Sequence, residues 1–189
     1  MRIIAGKLKG SSLHIPKNLN TRPLKDLTRE SIFNLLSHSN KVSLKLEESS
    51  VLDLYSGTGS FGLECLSRNS KCVYFVENNK DALEILKKNI EKLKVKKKTK
   101  IFFNDVFDLI NKSNILLPKF DLIFFDPPFK NSDIHNLIEL IFKKNLLKKN
   151  GIIVLHRNKN IRDNFPKYLN ILDERTYGIS KIIFATISF

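Results

Sequence analysis

The sequence predicts an α/β protein with a mostly parallel, doubly wound sheet, on three observations. From residue 51 onward, short apolar runs alternate with segments of helical periodicity. A glycine-rich turn at residues 56–62 follows the first run, and the last two runs meet at Tyr177-Gly178. Alternating strands and helices predict parallel strands joined by right-handed crossovers. A glycine between the two final strands predicts an antiparallel hairpin.

The elements follow one another along the whole chain. Residues 2–15 predict a small β-hairpin around a turn at 7–10, and a helix follows at about 27–37. The polar segment 40–50 is the clear linker. Seven strands are predicted at 51–55, 72–77, 100–103, 120–125 (the central one), 151–155, 168–175 and 180–188, with helices at 60–69, 79–93, 105–112 and 132–145. We expect one compact unit, with residues 1–39 as an N-terminal extension and residues 40–189 as the main domain.

Composition narrows the class of protein. With 189 residues and 42% hydrophobic content, the chain suits one domain with a full core. No apolar stretch is long enough to span a membrane, and no signal peptide is visible. Cys65 and Cys72 are too few for a disulfide framework or a metal site, so buried free thiols are expected. The four histidines show no metal-ligand spacing. A cytoplasmic, metal-free protein is therefore expected.

A net charge of +14 and a pI near 9.8 favour a polyanionic partner, because neutralised phosphates release counterions. For the lysine run within residues 87–100, the codon bias of an AT-rich genome is an equally good explanation as selection for nucleic-acid binding. Basic residues before the main domain, and one in its first helix, are the better nucleic-acid contacts. They are Arg2, Lys7, Lys9, Arg22, Lys25, Arg29 and Arg68.

The glycine-rich turn indicates a nucleoside-containing cofactor. The apolar run 51–55 precedes Gly57, Gly59 and Gly62, and a helical segment follows, which is the context that a G-x-G-x-x-G match requires. Such glycines allow a tight turn, close approach of a ligand and close packing of helix on strand. Glu77 ends the next strand, where an acidic residue usually binds the ribose hydroxyls.

Two cofactor classes suit such a turn. A dinucleotide would place its pyrophosphate at the helix N-terminus, whereas S-adenosylmethionine is cationic and favours acidic groups such as Asp53. Asn104 and Asp105 follow a strand and would lie beside the cofactor base, although a simple strand-end turn is the alternative. The candidate cofactor residues are Asp53, Tyr55, Gly57, Thr58, Gly59, Gly62, Glu77, Asn78, Asn104, Asp105, Val106 and Asp126.

Asp126-Pro127-Pro128-Phe129, at the end of the run 120–125, predicts a site for an exocyclic amine. The Asp126 carboxylate and the Pro127 carbonyl would accept the two N–H bonds, and Phe129 would stack on the base. Prolines fix φ and donate no backbone hydrogen bond, so Pro127 and Pro128 make a stiff rim. An ordinary turn is the alternative interpretation. We call residues 126–129 the amine clamp; together with the acidic turn it favours methyl transfer.

These motifs resemble the bacterial 16S ribosomal RNA guanine-N2 methyltransferase family nearly end to end. The matching blocks are residues 1–10, 22–23, 28–34, 53–68, 126–129 and 177–178. The resemblance implies a Rossmann-like class I S-adenosylmethionine-dependent methyltransferase fold. It also implies methylation of a guanine 2-amino group in 16S rRNA, within a small-subunit ribonucleoprotein particle. A monomer is the default expectation.

One departure and three alternatives stay open. The resemblance implies a glutamate after the fifth strand, where this chain has His156. A DNA adenine-N6 methyltransferase would use the same clamp, although 189 residues leave little room for a target-recognition region. A nicotinamide-dependent oxidoreductase would leave the amine clamp without a task. A non-catalytic RNA-binding or assembly factor would leave both the clamp and the glycine turn unexplained.

Overall fold

The computed structural model describes residues 1–16, 24, 26–42, 44–112, 115–128 and 133–188. Helices and strands alternate as expected over the main part of the chain. In chain order they are α1 (Asp26–His38), β1 (Ser50–Leu54), α2 (Ser60–Ser67), β2 (Cys72–Glu77), α3 (Lys80–Lys92), β3 (Thr99–Phe103), α4 (Val106–Lys112), β4 (Phe120–Phe125), α5 (Ile134–Lys143), β5 (Leu147–Asn158), β6 (Leu169–Tyr177) and β7 (Ser180–Ile187).

The seven strands form one sheet in the order β3-β2-β1-β4-β5-β7-β6. The first five strands are parallel, and β7 pairs antiparallel with both β5 and β6. The predicted mostly parallel sheet, its central strand β4 and its antiparallel C-terminal hairpin are confirmed. Strand β5 is longer than predicted, because Leu147 already pairs with Phe120 before the polar residues 148–150 that hid the strand start.

Alternate side chains of the strands pack against two separate helical layers, as a sheet covered on both faces requires. Val51 joins the core cluster that contains residues of α1, α2 and α3, whereas Leu52 joins the cluster that contains α4 and α5. Leu122 and Phe124 of β4 face the first layer. These faces decide which polar residues can meet at the ends of the strands.

The N-terminal segment (residues 1–16) folds as a short hairpin against the first layer. The predicted pair of strands is reduced to one antiparallel bridge between Arg2 and Ser12. The segment is held from α2, because the Ile4 and Ala5 N–H groups donate to the two carboxylate oxygens of Glu64 at 2.8 and 2.9 Å. Glu64 is fully buried, so these bonds fix the segment on the main domain.

Arg29 is a correction to the predicted nucleic-acid contacts. Its side chain is fully buried, donates to the backbone carbonyl of Arg2 and pairs with Asp26 at 3.0 Å. Burial lowers the pKa of Arg29, and the charges of Asp26 and Glu64 oppose that shift. A guanidinium enclosed in this way cannot reach a phosphate, so Arg29 links α1 to the N-terminal segment instead.

The structure also bears on Arg68, the two cysteines and the helices. Arg68 pairs with Glu64 at 2.9 Å and lies 4.5 Å from the centroid of the Phe33 ring, so its charge is already engaged within the protein. Cys65 is a buried free thiol as predicted, whereas Cys72 is only partly buried. Among the described residues, no helix combines the length and apolarity that crossing a bilayer would require.

Candidate active site

Four polar side chains lie on one face of the sheet at the carboxyl ends of neighbouring strands. Val51 and Phe124 belong to the layer of α1–α3, so two residues further along each strand, Asp53 and Asp126 follow the same side. Glu77 of β2 and His156 of β5 have the same parity relative to Phe75 and Val154. Ligands bind outside the carboxyl ends of strands in open α/β sheets, so this edge is the candidate active site.

The glycine turn (residues 56–62) is anchored to both neighbouring strands. Ser56 Oγ donates to the Asp53 carbonyl at 2.6 Å and accepts from the Val76 N–H at 3.0 Å. The Gly57 N–H donates to Glu77 Oε2 at 2.6 Å, and the Gly62 N–H donates to Asp53 Oδ2 at 3.0 Å. Sequence reasoning missed Ser56, although its position at the strand end was a usable signal.

Two positions of the turn require glycine for different physical reasons. A Cβ on Gly62 would lie 2.4 Å from the Phe75 ring, so only glycine lets α2 pack this close to β2. Gly57 has φ +55°, and a Cβ there would meet no described atom within 4 Å. A ligand could therefore approach the backbone in the open space above Gly57.

Asp53 is a buried carboxylate at the candidate active site. Burial raises the pKa of Asp53 well above its ordinary range; the Gly62 N–H bond opposes this, and the charges of Asp126 and Glu77 raise it further. Asp53 Oδ1 is buried without a hydrogen-bond partner among the described residues. A buried carboxylate oxygen without a partner is costly, and a cation placed beside it would remove that cost.

The donor set fits S-adenosylmethionine better than a dinucleotide. Asp53, Glu77 and Asp126 put three carboxylates around the turn, at the ends of the adjacent strands β1, β2 and β4. The negative field of Asp126 and Glu77 raises the pKa of Asp53. Such a field attracts the cationic amino-acid end of S-adenosylmethionine and repels a pyrophosphate. Asp53 would hold that cationic end, and Glu77 would hold the ribose hydroxyls.

Asp126 stands beside β1 and contacts β5. Its N–H donates to the Leu54 carbonyl at 3.4 Å, and Oδ1 lies 2.7 Å from His156 Nδ1. The Asp126 side chain is 22% exposed, whereas that of His156 is 7% exposed. Phe125 pairs with Leu155, so the next residues along the two parallel strands are neighbours. Sequence reasoning missed this contact because it requires the β4–β5 register.

The other predicted cofactor residues occupy varied positions. Asp105 Oδ1 accepts from the Phe107 N–H at 2.8 Å and so caps α4, which agrees with the turn alternative. Asn104 and Asn78 are exposed near strand ends, whereas the Val106 side chain lies in the core. Asn79, not predicted, caps α3 through the Ala82 N–H. The remaining candidates divide by exposure: Thr58 and Gly59 are buried and Tyr55 is half-buried.

Pro127 is buried and Pro128 is exposed, whereas Phe129 lies outside the described residues. The predicted basic contacts are similarly divided. Arg2, Lys7 and Lys9 are exposed, whereas Arg22 and Lys25 lie outside the described residues.

The N-terminal segment reaches the glycine turn through α3. The buried Asn89 accepts from the His14 N–H at 2.7 Å and donates to the Thr58 carbonyl at 3.1 Å. Lys92 of α3 also donates to Ser12 Oγ at 2.7 Å. The segment that carries Lys7 and Lys9 is thus joined to the candidate site by a side chain that contacts both.

Within the described ranges, no cluster of three or more His, Cys, Asp or Glu side chains is arranged to hold a metal ion.

Comparison with known proteins gives one family and several relatives. The sequence model of the family described as "Conserved hypothetical protein 95" matches residues 1–186. Ribosomal RNA small subunit methyltransferase D of Haemophilus influenzae is 34% identical, over 95% of this chain and 90% of that protein. A solved structure of a conserved hypothetical protein from Streptococcus pyogenes has a TM-score of 0.73 at 28% identity, covering 85% of this chain and 95% of that chain.

The fold is also that of a more distant methyltransferase. A precorrin-6y C5,15-methyltransferase from Geobacter metallireducens has a TM-score of 0.64 at 16% identity, covering 93% of this chain and 94% of that chain. At this identity the likeness concerns the fold alone. It agrees with the predicted Rossmann-like methyltransferase architecture, which the sheet order and the C-terminal antiparallel pair also display.

Proposed function

Because this chain belongs to the family described as "Conserved hypothetical protein 95", we propose that it methylates the 2-amino group of a guanine in 16S rRNA. The predicted family resemblance and the methyltransferase class are confirmed by this membership and by the relative named ribosomal RNA small subunit methyltransferase D. The cofactor is S-adenosylmethionine. The guanine, its 2-amino group, the small-subunit particle, the cytoplasm and a monomeric enzyme belong to the proposal.

One observation gives this function its main support: Asp53 and Asp126, the residues proposed for the donor and the acceptor, lie at the same edge of the sheet on neighbouring strands. Asp53 lies beside the glycine turn, and the charge of Asp126 in the amine clamp raises the pKa of Asp53. Strands β1 and β4 that carry them are adjacent and parallel. A cation held at Asp53 and an amine held at Asp126 would therefore lie within reach of one another, which direct transfer requires.

The chain's own residues act by binding and orienting. When bound, S-adenosylmethionine supplies a methyl group whose C–S bond breaks with its electron pair passing to sulfur. Asp126 and the Pro127 carbonyl would accept the two N–H bonds of the guanine amine, which frees its lone pair for attack on that methyl. Orientation of this kind is worth about 7–11 kcal/mol in well-aligned systems. Asp126 would then accept the proton that the cationic nitrogen releases and pass it to water.

The target base must leave its stack before it enters the clamp. That step costs a few kcal/mol, and less in a loop. Stacking on Phe129 would compensate by about 1–3 kcal/mol. The exposed Arg2, Lys7 and Lys9, with Arg22 and Lys25, would bind the RNA phosphates, and Arg29 is excluded by its burial.

The test is methylation of 16S rRNA by the purified protein with methyl-labelled S-adenosylmethionine. The RNA is supplied free and within small-subunit particles, and nucleosides are identified by mass spectrometry. N2-methylguanosine at one position is the expected product. N6-methyladenosine in a DNA substrate would indicate the adenine alternative. Cofactor binding without any methylated product would indicate a non-catalytic RNA-binding factor.

Asp126→Asn should lower kcat by at least about 100-fold, because an amide cannot accept the proton and offers one acceptor fewer. Its affinity for adenosylhomocysteine should stay within about threefold of wild type. Asp121→Asn makes the same change at the other end of β4, where Asp121 binds Ser50 and Lys148, and should retain kcat. Near wild-type turnover by the Asp126 variant would remove this carboxylate from the reaction.

A further inference from the structure

His156 contacts the carboxylate that the proposed function places at the target amine. Its Nδ1 lies 2.7 Å from Asp126 Oδ1, which is the short distance of a charge-assisted hydrogen bond. The other three histidines of the chain, His14, His38 and His135, are all exposed. His156 is thus the one histidine enclosed at the site edge, and its side chain is 7% exposed.

The tautomer follows from the chemistry of the partner. The proposed function requires an ionised Asp126, and an ionised carboxylate only accepts hydrogen bonds. In that state the hydrogen of this contact belongs to Nδ1, and His156 is the donor. Oδ1 of Asp126 is then committed to the imidazole, whereas Oδ2 keeps its acceptor sites. The Asp126 side chain is 22% exposed, whereas the His156 side chain beside it is 7% exposed. The exposed side of the carboxylate is therefore the side turned away from His156.

The backbone holds the imidazole in place. His156 lies within β5 and pairs with Ile182 of β7, while Phe125 and Leu155 fix the register on the β4 side. Asp126, in contrast, is the first residue after β4. A donor on a paired strand therefore holds a carboxylate at a strand end, where the chain enters the amine clamp.

We propose that His156 is a positioning residue, whose Nδ1–H holds Oδ1 of Asp126 so that Oδ2 is presented to the target amine. This proposal rests on the proposed function for the identity of the amine. The hydrogen bond itself does not depend on the substrate. A carboxylate without this donor rotates between orientations, only some of which accept from the amine, so its loss lowers kcat more than it raises KM.

Two substitutions at His156 separate positioning from packing. Asn carries an amide nitrogen at the same number of bonds from Cα as Nδ1, so His156→Asn keeps the donor, whereas His156→Leu fills the site without one. We expect His156→Leu to lower kcat about 10- to 100-fold with KM changed less than threefold. His156→Asn should recover most of that loss, although it leaves a larger void than Leu.

Controls and a second readout keep the outcome independent of folding. His135→Asn, on the surface of α5, makes the same change away from the site and should leave kcat unchanged. Melting temperatures and adenosylhomocysteine affinities of all variants are measured alongside. In the wild type, nitrogen-15 NMR should show His156 with a protonated Nδ1 whose signal shifts in Asp126→Asn.

Equal losses of kcat in His156→Asn and His156→Leu would overturn the positioning role, as would an unprotonated Nδ1 in the wild type. The NMR measurement needs no substrate. A wild-type protein that fails to methylate RNA but shows the Nδ1–H bond would therefore count against the proposed function and leave the His156–Asp126 interaction intact. A loss of kcat that follows melting temperature across the variants would assign His156 to packing.

Discussion

At the scale of single residues, the site is dominated by a carboxylate that the fold alone would not favour. Asp53 is 1% exposed, and its Oδ1 has no partner among the described residues. Burial raises its pKa, as do the charges of Asp126 and Glu77. Active sites are where such unfavourable environments are retained. Burying the Asp53 carboxylate lowers the stability of the fold, and a bound cationic ligand would offset that cost.

The first prediction at this scale concerns Asp53→Asn and pH. In the wild type, the folded state binds the Asp53 proton more tightly than the unfolded state. The free energy of unfolding therefore falls as pH rises from the unfolded pKa of about 4 towards the raised folded value. The asparagine side chain cannot ionise, so the variant does not show this pH-dependent fall in the free energy of unfolding. Its stability relative to wild type should increase with pH, by at most about 1.4 kcal/mol per unit.

Urea unfolding of both proteins at pH 5, 6, 7 and 8 measures this difference. Asp81→Asn, at an exposed position on α3, is the control for the loss of one carboxylate. A difference between Asp53→Asn and wild type that stays constant over this range would show that Asp53 does not have the raised pKa.

At the scale of elements, the connection from β1 to α2 forms the proposed cofactor site. Gly62 is needed for packing, since a Cβ would overlap the Phe75 ring. Gly57 is needed for conformation, at φ +55°, and for the open space above it. The two requirements come from opposite sides of the same turn. Gly62 lies on the side that packs against the core, and Gly57 lies on the side proposed for the ligand.

Gly57→Ala and Gly178→Ala form a matched pair that isolates the ligand requirement. Both glycines have left-handed φ values, +55° and +60°, and neither added Cβ meets a described atom within 4 Å. Each substitution should cost about 1–2 kcal/mol of stability. Only Gly57→Ala should weaken adenosylhomocysteine binding, by about tenfold or more, because its methyl group enters the cofactor space.

Calorimetric titration with adenosylhomocysteine and urea unfolding together provide the comparison. Gly178 lies in the turn between β6 and β7, at the edge of the sheet remote from β1 in strand order. Equal affinities in the two variants would place the cofactor elsewhere than above Gly57.

At the scale of the whole molecule, hydrogen bonds join the N-terminal segment to the candidate active site. Glu64 holds the segment on α2, and Asn89 joins His14 to Thr58 of the glycine turn. The segment carries exposed Lys7 and Lys9, and the chain as a whole has a net charge of +14. We expect this side to bind the RNA backbone next to the target base.

Lys7→Ala with Lys9→Ala should weaken RNA binding and its dependence on salt. The slope of log K against log salt should become shallower by about 0.7–0.9 for each phosphate that the variant leaves without a lysine partner. The control is Lys144→Ala with Lys149→Ala, two exposed lysines. Lys144 directly follows α5, and Lys149 lies in the first part of β5. Binding isotherms from 50 to 300 mM salt measure both. An equal change of slope in the control would indicate that RNA binding depends on the net charge of the protein and not on the surface around Lys7 and Lys9.

Local patterns were sufficient to predict much of the fold. The alternation of apolar runs predicted all seven strands, and β2 (Cys72–Glu77) and β4 (Phe120–Phe125) begin and end where expected. The polar start of β5 was not predicted, because residues 148–150 do not have the apolar pattern that predicts a strand. Periodicity reports burial, and a strand segment that is not buried gives no such signal.

By itself the sequence determined the order of the elements, the glycine turn and the position of Asp126 at a strand end, because each depends on neighbours along the chain. Tertiary structure alone decided that Arg29 is enclosed rather than available to RNA. It also decided that Asp105 caps α4 and that His156 Nδ1 lies 2.7 Å from Asp126 Oδ1. These contacts depend on strand register and helix docking, which bring together residues that no local pattern relates.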